Sequence, residues 1–198
     1  MSKLIIATNN QGKVREIKAI FQGIYDEVLS LKDAGIQIDV EEDGNTFLEN
    51  SAKKAVEVSK LVDCDCMADD SGICVDGLGG APGIYSARYS PEGTDEANRI
   101  ALIEAVRPLD KKDRSARFHC AITIAKGGEV VFSCEETCDT GEILLEERGE
   151  NGFGYDSLFY LESLGQTFAE IDPETKNSMS HRARALETTK KWLLDQNA

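Results

Sequence analysis

The sequence predicts an α/β fold built on a mixed β-sheet with helices on its faces. The first third of the chain alternates short apolar runs, typical of buried strands, with stripes of apolar residues at helical spacing. The centre changes to the two-residue period of strands, and the chain ends in a helical segment. Elements that alternate α and β at first and then become strand-rich favour a mixed sheet over a purely parallel one.

The first elements follow from their apolar patterns. Residues 3–8 predict a buried strand, residues 8–13 a polar loop, and the spacing of Val14, Ile17 and Phe21 predicts a helix. Thr46 and Glu49 have the form of a capping box. The stripe that predicts the second helix consists of Leu48, Ala52, Ala55, Val56, Ser59 and Val62.

The later elements are predicted in the same way. A short strand leads into Asp69-Asp70, a helix runs from 94 or 95 to about 106, and a final helix covers about 180–195. Between the last two helices, residues 116–124 alternate and predict a strand whose wetter face carries Arg117, His119 and Thr123. Residues 126–129 predict a hairpin turn, and residues 149–154 form a glycine-rich loop.

Composition limits the classes of function. The 198 residues carry 36 acids and 22 bases, a net charge of −14, which argues against a nucleic-acid binder with a broad basic face. The chain has no apolar run of membrane-spanning length and no signal-peptide pattern, so we expect a cytoplasmic protein that does not bind membranes. Its size fits one domain or two closely joined lobes, and no linker is evident. The six cysteines lack C-x-x-C spacing, which favours reduced, mostly buried thiols over a zinc site.

The residues Asp69-Asp70-Ser71-Gly72 follow the apolar stretch that ends at Ala68. Two carboxylates and a hydroxyl at the end of a buried strand are hard oxygen ligands of the kind that Mg²⁺ prefers. An acidic pair in a solvated turn is the alternative. One acid of the run Glu41-Glu42-Asp43 either joins Asp70 on the metal or only complements the dipole of the following helix.

Several bases are placed where a polyphosphate could bind. The turn that contains Gly12 and Lys13 lies between a strand and a helix, where backbone N–H groups and the helix dipole favour an anion; an ordinary strand-to-helix turn is the alternative. Lys54 lies on about the same helix face as Asn50, so both line a cleft or face water. A charged segment, 174–182, holds three further cations, and aromatic rings at 153 and 155 either stack on a base or belong to the core.

Several of these motifs together resemble the inosine/xanthosine triphosphate pyrophosphatase family, whose substrates are non-standard purine nucleotides. The match runs from residue 4 to about 190, and its motifs are Thr8-Asn9-Asn10-x-Gly12-Lys13, Thr46-Phe47-x-Glu49-Asn50, Ala68-Asp69-Asp70-Ser71-Gly72, the block 79–89, Gly152-Phe153-Gly154-Tyr155-Asp156, Lys176 and Ser180-His181-Arg182. Ser51, Asn151, Ser157 and Thr175 depart from the family pattern.

The resemblance implies a homodimeric enzyme of two lobes with a nucleotide cleft between them. It implies Mg²⁺-dependent hydrolysis of ITP, dITP or XTP to the monophosphate and pyrophosphate, a reaction that cleanses the nucleotide pool. Asp70 is then the catalytic residue, and Asp70 and Glu42 are the metal ligands, with Glu41 a weaker candidate. The substrate-binding residues are Thr8, Asn9, Asn10, Gln11, Gly12, Lys13, Lys54, Ser71, Phe153, Gly154, Tyr155, Asp156, Lys176, His181 and Arg182. The alternatives are the same chemistry on other modified nucleotides, or a non-catalytic nucleotide-binding regulator.

The residues permit a mechanism in which water attacks the α-phosphorus and pyrophosphate leaves. Asp70 and Glu42 position the metal, and an acid of this cluster orients or deprotonates the water; Asp69 shares the task if direct ligation makes Asp70 a weak base. Base selection follows from the 6-oxo group of hypoxanthine and xanthine, which accepts a hydrogen bond where adenine presents a donor. The donor is a backbone N–H, His181 or Arg182.

Overall fold

The computed structural model describes residues 2–196. Its strands are β1 (Lys3–Ile6), β2 (Glu27–Ser30), β3 (Asp65–Val75), β4 (Ser115–Lys126), β5 (Glu129–Thr137), β6 (Gly141–Ile143), β7 (Phe159–Leu161) and β8 (Gln166–Thr167). Its α-helices are α1 (Gln11–Ile20), α2 (Phe47–Ser59), α3 (Asp95–Val106), α4 (Pro173–Met179) and α5 (His181–Gln196), and short 3₁₀ turns lie at Asp76–Leu78, Gly83–Arg88 and Lys111–Arg114. Among residues 2–196, no helix is both long enough and apolar enough to span a bilayer.

The chain divides into two compact units. The first contains residues 2–70, 120–136 and 182–196, and the second contains residues 71–119 and 137–181. Strands β3 and β4 each contribute residues to both units. The assignment of the whole chain to a single domain stays a prediction.

In the first unit, β1 pairs in parallel with β2 on one side and β3 on the other. Strand β4 follows β3, and β5 pairs with β4. Side chains alternate along β1, so its two faces enter different clusters. Leu4 and Ile6 pack with apolar residues of α1 and α5. Ile5 packs with Ala55 and Val58 of α2. Helices therefore cover both faces of this part of the sheet.

In the second unit, β4, β6, β7 and β8 pair in antiparallel order. Leu102 of α3 shares a buried cluster with Phe118, Phe159 and Phe168. The ring of Phe159 meets the other two edge-on, with centroids 5.0 and 4.8 Å apart, a favourable aromatic geometry. Parallel pairs in one unit and antiparallel pairs in the other confirm the predicted α/β fold with a mixed sheet.

Three predicted elements differ from the structure. Strand β3 does not end at the acidic pair but continues through it to Val75, since cations compensate both acids. On α2 the predicted stripe is wrong at Leu48, which is 38% exposed, whereas Asn50 and Ser51 are buried. Thr123 is also buried, because its hydroxyl lies 2.8 Å from that of Ser51 in a shielded polar contact.

Helix α3 and the turn between β4 and β5 agree closely with the prediction. Helix α3 begins after the N-cap Thr94, whose hydroxyl accepts from the Ala97 N–H at 3.2 Å. Gly127 and Gly128 have φ of 58° and 87°, the left-handed values that the tight turn between β4 and β5 requires. Six free cysteines are present, of which Cys66, Cys120 and Cys138 are buried and the other three are half-buried.

Candidate functional site

The acidic pair of β3 is buried in the first unit. Asp69 is 1% exposed and Asp70 is 5% exposed. Carboxylates in such positions require compensating charge, because burial strongly disfavours an isolated ion. The two acids obtain that charge from different parts of the chain.

Asp69 is neutralised by two cations. Its Oδ1 lies 2.9 Å from Nζ of Lys13, and its Oδ2 accepts a hydrogen bond from Nε of Arg182 at 3.1 Å. Arg182 also donates through its NH1 group to Glu16. Burial acts to lower the pKa of Arg182, but Asp69 and Glu16 outweigh it and raise that pKa above its ordinary value. Arg182 is therefore a fixed cation between two carboxylates.

Lys54 holds the second acid. Its ammonium donates to Oε1 of Glu42 at 2.8 Å, to the Asp69 carbonyl oxygen at 2.8 Å and to Oδ1 of Asp70 at 3.3 Å. Burial acts to lower the pKa of Lys54, but the charges of Asp70 and Glu42 outweigh it and raise that pKa. We call Glu42, Lys54 and Asp70 the Lys54 cluster. It brings together the two predicted metal ligands and one predicted substrate contact.

One oxygen of Asp70 differs from the rest of the Lys54 cluster. Among the described residues, its buried Oδ2 has no hydrogen-bond partner. Burial raises the pKa of the Asp70 carboxyl, although Lys54 and Lys13 act in the opposite direction. A buried carboxylate oxygen without a donor is costly to the folded protein, and such atoms are typical of functional sites.

Helix α2 and the loop before it position Glu42. The Thr46 hydroxyl caps the helix by accepting from the Glu49 N–H at 3.1 Å. The reciprocal bond of the predicted capping box comes from Asn45 instead, whose N–H donates to Glu49 Oε2 at 2.7 Å. The Gly44 N–H donates to Oδ1 of the buried Asn50 at 2.8 Å, which ties the loop to the helix.

The predicted phosphate loop, residues 8–13, already contains the start of helix α1. Helix α1 begins at Gln11, and Oδ1 of the N-cap Asn10 accepts from the N–H groups of Gly12 and Lys13 at 2.9 and 3.1 Å. Two of the backbone donors expected to face an anion are thus already bonded to a side chain. The Thr8 hydroxyl accepts from the Asn10 N–H at 3.2 Å, and Asn9, Asn10 and Gln11 are exposed.

A second buried ion pair lies in the second unit. Nζ of Lys176 donates to Oδ2 of Asp156 at 2.6 Å, and both residues are 4% exposed. The same oxygen accepts from the Phe153 N–H at 3.0 Å. The ammonium also lies 4.9 Å from the Phe153 ring centroid and 5.9 Å from that of Phe168, within the range of cation–π attraction. We call Phe153, Asp156, Phe168 and Lys176 the Lys176 cluster.

The remaining predicted contacts are also in the second unit. The Tyr155 hydroxyl donates to the Ser86 carbonyl oxygen at 2.6 Å, and burial raises the pKa of this tyrosine. Gly154 has φ of +60°, a left-handed conformation that glycine adopts without strain. The His181 ring is buried and stacks on Phe118 with centroids 4.7 Å apart. Ser71 lies on β3.

The structure therefore sorts the predicted site residues into two groups. The first unit contains Thr8, Asn9, Asn10, Gln11, Gly12, Lys13, Glu42, Lys54, Asp70 and Arg182, and the second contains Ser71, Phe153, Gly154, Tyr155, Asp156, Lys176 and His181. The roles of all these residues stay predictions. Sequence reasoning missed Glu16, although its position one helical turn after Lys13 on α1 could have indicated that it lies near the site. It also missed Phe168, for which the sequence offered no signal beyond an apolar residue.

Together these features define an α/β protein with a mixed sheet in which strand β3 carries two buried acids, each paired with a lysine. Residues 4–192 match the sequence model of the Ham1 family, and the chain belongs to that family. A dITP/XTP pyrophosphatase of Geobacillus kaustophilus is 48% identical over 94% of this chain and 91% of its own length. One of Clostridium perfringens is 48% identical over 96% of each chain.

Solved structures agree with this assignment. A HAM1 protein from Coxiella burnetii superposes with a TM-score of 0.87 at 36% identity and covers 98% of this chain and 100% of its own. The Staphylococcus aureus Ham1 protein superposes with a TM-score of 0.85 at 38% identity and covers 98% and 100%. The family resemblance and the fold predicted from sequence are confirmed.

Proposed function

We propose that this protein hydrolyses the triphosphates of non-standard purine nucleosides, ITP, dITP and XTP, to the monophosphate and pyrophosphate. The observation that carries the proposal is the Lys54 cluster, in which a buried catalytic candidate, Asp70, keeps one oxygen without a hydrogen-bond partner among the described residues. The substrate class comes from the relatives, whose printed names are dITP/XTP pyrophosphatase.

Asp70 and Glu42 fit a divalent metal such as Mg²⁺. Among the described residues no group of three His, Cys, Asp or Glu side chains could hold a metal. Mg²⁺ does not require such a group, since it is commonly bound by one or two carboxylates together with substrate phosphates and water. Oδ2 of Asp70, which has no hydrogen-bond partner among residues 2–196, would supply one hard ligand, and Glu42, which binds the same lysine, would supply the second. When bound, Mg²⁺ would withdraw charge from the phosphate oxygens during cleavage.

The protein's own cations supply further charge stabilisation. Lys54 and Lys13 are held on buried carboxylates and therefore have fixed positions before substrate arrives. A preorganised ammonium near the bridging oxygen stabilises the charge that develops as pyrophosphate leaves. Lys13 and Arg182 already occupy both oxygens of Asp69, whereas Oδ2 of Asp70 has no hydrogen-bond partner among the described residues. We therefore assign the orientation of the attacking water to Asp70.

The Lys176 cluster supports a role in recognising the base. A hydrogen-bond donor held in place pairs with a 6-oxo group and is left unpaired against the 6-amino group of adenine. Lys176 is such a donor, because Asp156 and two aromatic rings fix its ammonium. The partly exposed Phe153 beside it offers an aromatic surface for a purine. The Arg182 guanidinium, by contrast, already donates hydrogen bonds to Asp69 and Glu16.

Product analysis with a nucleotide panel tests the proposal. The protein is incubated with ITP, XTP, ATP and GTP in MgCl₂ and, as a control, in EDTA. We expect inosine monophosphate and pyrophosphate from ITP, kcat/KM for ATP up to roughly 10⁴-fold lower, and no turnover in EDTA. Orthophosphate in place of pyrophosphate, or equal kcat/KM for all four nucleotides, would contradict the proposal.

The same assay, extended to modified pyrimidine nucleoside triphosphates, separates the alternatives. Turnover restricted to modified pyrimidine nucleotides would assign the same chemistry to another substrate. Tight binding of ITP without turnover in Mg²⁺ would identify a nucleotide-binding regulator. We further propose a cytoplasmic homodimer with the nucleotide between two lobes, as the resemblance implies; sedimentation of the full chain tests the dimer.

A further inference from the structure

The loop that carries Phe153 and Asp156 is held in place by a helix outside the proposed site. Helix α3 approaches this loop at Gly154, the residue between Phe153 and Tyr155. Oδ2 of Asp95 accepts a hydrogen bond from the Gly154 N–H at 2.9 Å. NH1 of Arg99 donates to the Gly154 carbonyl oxygen at 3.1 Å.

Both polar groups of one residue are therefore bonded to side chains of one helix. Asp95 and Arg99 are four positions apart, so they lie on the same face of α3. At this spacing an acid and a base would be expected to pair with each other, yet each bonds the loop backbone instead. Gly154 adopts φ of +60°, and the bonds on both sides of it fix this left-handed turn.

The contacts continue beyond Gly154. Nε of Arg99 lies 2.9 Å from Oε2 of Glu147. The Ser157 hydroxyl donates to the same oxygen of Glu147 at 2.9 Å. Because Ser157 immediately follows the motif, this chain of contacts fixes the loop at a second point. Arg99 therefore has two partners, Gly154 through a hydrogen bond from NH1 and Glu147 through an ion pair at Nε.

We propose that Asp95 and Arg99 are positioning residues that set the affinity and selectivity of this protein for its purine base. The two side chains do not touch substrate themselves. They hold Gly154, and through it they hold Phe153 and Asp156 in the Lys176 cluster. This inference rests on the proposed function, since it assigns the cause of base selectivity at the same site.

The simplest alternative role for Asp95 is that it only complements the N-terminal dipole of α3, as an acid in the first helical turn commonly does. The adjacent Glu96 provides the matched control. It is exposed and lies in the same turn, and its side chain makes no hydrogen bond or ion pair with any residue between 2 and 196. A dipole effect predicts similar losses from both acids, whereas the positioning role predicts a loss only at Asp95.

The test compares Asp95→Leu and Arg99→Met with Asp95→Asn, Glu96→Gln and Arg107→Met. Arg107, the C-cap residue of α3, forms an exposed ion pair with Glu104 of that helix, so its variant controls for loss of charge. We expect Asp95→Leu and Arg99→Met to raise KM for ITP roughly tenfold, the scale of one lost charge-assisted hydrogen bond, with kcat nearly unchanged. The ratio of kcat/KM for ITP to that for ATP should fall. Asp95→Asn keeps an acceptor oxygen and should restore KM.

A second measurement does not depend on turnover. Hydrogen exchange followed by mass spectrometry on a peptide that contains Gly154 should show faster exchange in Asp95→Leu and Arg99→Met than in either control. If KM and exchange both match the controls, the positioning role is wrong. It is also wrong if kcat falls while KM for ITP stays at the wild-type value. Absence of ITP turnover in the wild-type protein would instead overturn the proposed function and the selectivity claim, and the exchange data would still decide whether Asp95 and Arg99 hold the loop.

Discussion

The Lys54 cluster and the Lys176 cluster each bury a lysine against an aspartate, but they satisfy that aspartate differently. Lys54 is shared between Glu42 and Asp70, and one oxygen of Asp70 is left without a hydrogen-bond partner among residues 2–196. Oδ2 of Asp156 accepts both the Lys176 ammonium and the Phe153 N–H. A carboxylate with unused acceptor capacity is suited to bind a metal or water, whereas one with several donors is suited to hold a shape.

The largest expected effect is on kcat and tests the proposed catalytic role of Asp70 in the Lys54 cluster. Replacement of Asp70 by Asn removes the charge but keeps the volume, so kcat for ITP should fall roughly 10²- to 10⁴-fold. KM should change little, because the base and phosphate contacts are retained. Steady-state kinetics at saturating MgCl₂ measures both. The exposed Asp63→Asn is the control, and a kcat for Asp70→Asn equal to that of the control would refute the catalytic assignment.

The next effect concerns stability in the Lys176 cluster. Lys176→Met leaves the Asp156 carboxylate buried without its cation, and such a loss costs about 3–5 kcal/mol of unfolding free energy. Urea denaturation measures this cost. Lys60→Met removes an exposed partner of Glu57 and should cost about 0–1 kcal/mol. The double variant Lys176→Met/Asp156→Asn should regain part of the loss, and a double variant no more stable than Lys176→Met would argue against the pair.

Substitution of Gly152 tests how closely the Lys176 cluster is packed around Asp156. Gly152 has φ of +77°, and a Cβ at this position would lie 2.1 Å from Oδ2 of Asp156, the atom that Lys176 binds. Gly165 has φ of +66° with open space around it, so Gly165→Ala isolates the backbone cost of about 1–2 kcal/mol. We expect Gly152→Ala to lose more than that in urea denaturation and to raise KM for ITP. Equal losses would show that Asp156 moves aside without consequence.

The smallest effect is a pH dependence at the start of α4, the helix that carries Lys176. The backbone N–H of Thr175 and then its hydroxyl, at 2.9 and 2.7 Å, lower the pKa of Asp172 below its ordinary value of 3.8. A lowered pKa stabilises the folded protein above 3.8, and this contribution disappears as the pH falls through the lower folded value. The Tm difference between wild type and Asp172→Asn should therefore be full at pH 7 and shrink below pH 3.8. A difference that is constant with pH would contradict this assignment.

Local patterns were sufficient for much of the fold. The hydroxyl of Thr94 and the glycines at 127 and 128 act through neighbours in the chain, so helix α3 and the β4–β5 turn could be predicted from sequence. Strand β3 was predicted to end at the acidic pair because the apolar stretch stops at Ala68. The strand continues because Lys13 and Arg182, which are distant in sequence, neutralise Asp69.

The candidate site was predicted by residue type more than by arrangement. The motifs nominated Lys13 and Lys54 as phosphate contacts, but no pattern indicated that each is held by a buried carboxylate. No sequence pattern indicated the role of Asp95 and Arg99 either. Their spacing looks like an ordinary surface pair, and only the structure reveals that their partner is the backbone of Gly154.

The Asp69 carboxylate also limits how this sequence can evolve. It binds Lys13 of α1 and Arg182 of α5, so three positions that are widely separated in sequence specify one network of ion pairs. Loss of any single member exposes the others to an uncompensated charge inside the protein, and no single further substitution repairs both contacts of Asp69. In diverged homologues these three positions should therefore covary or remain fixed as a set.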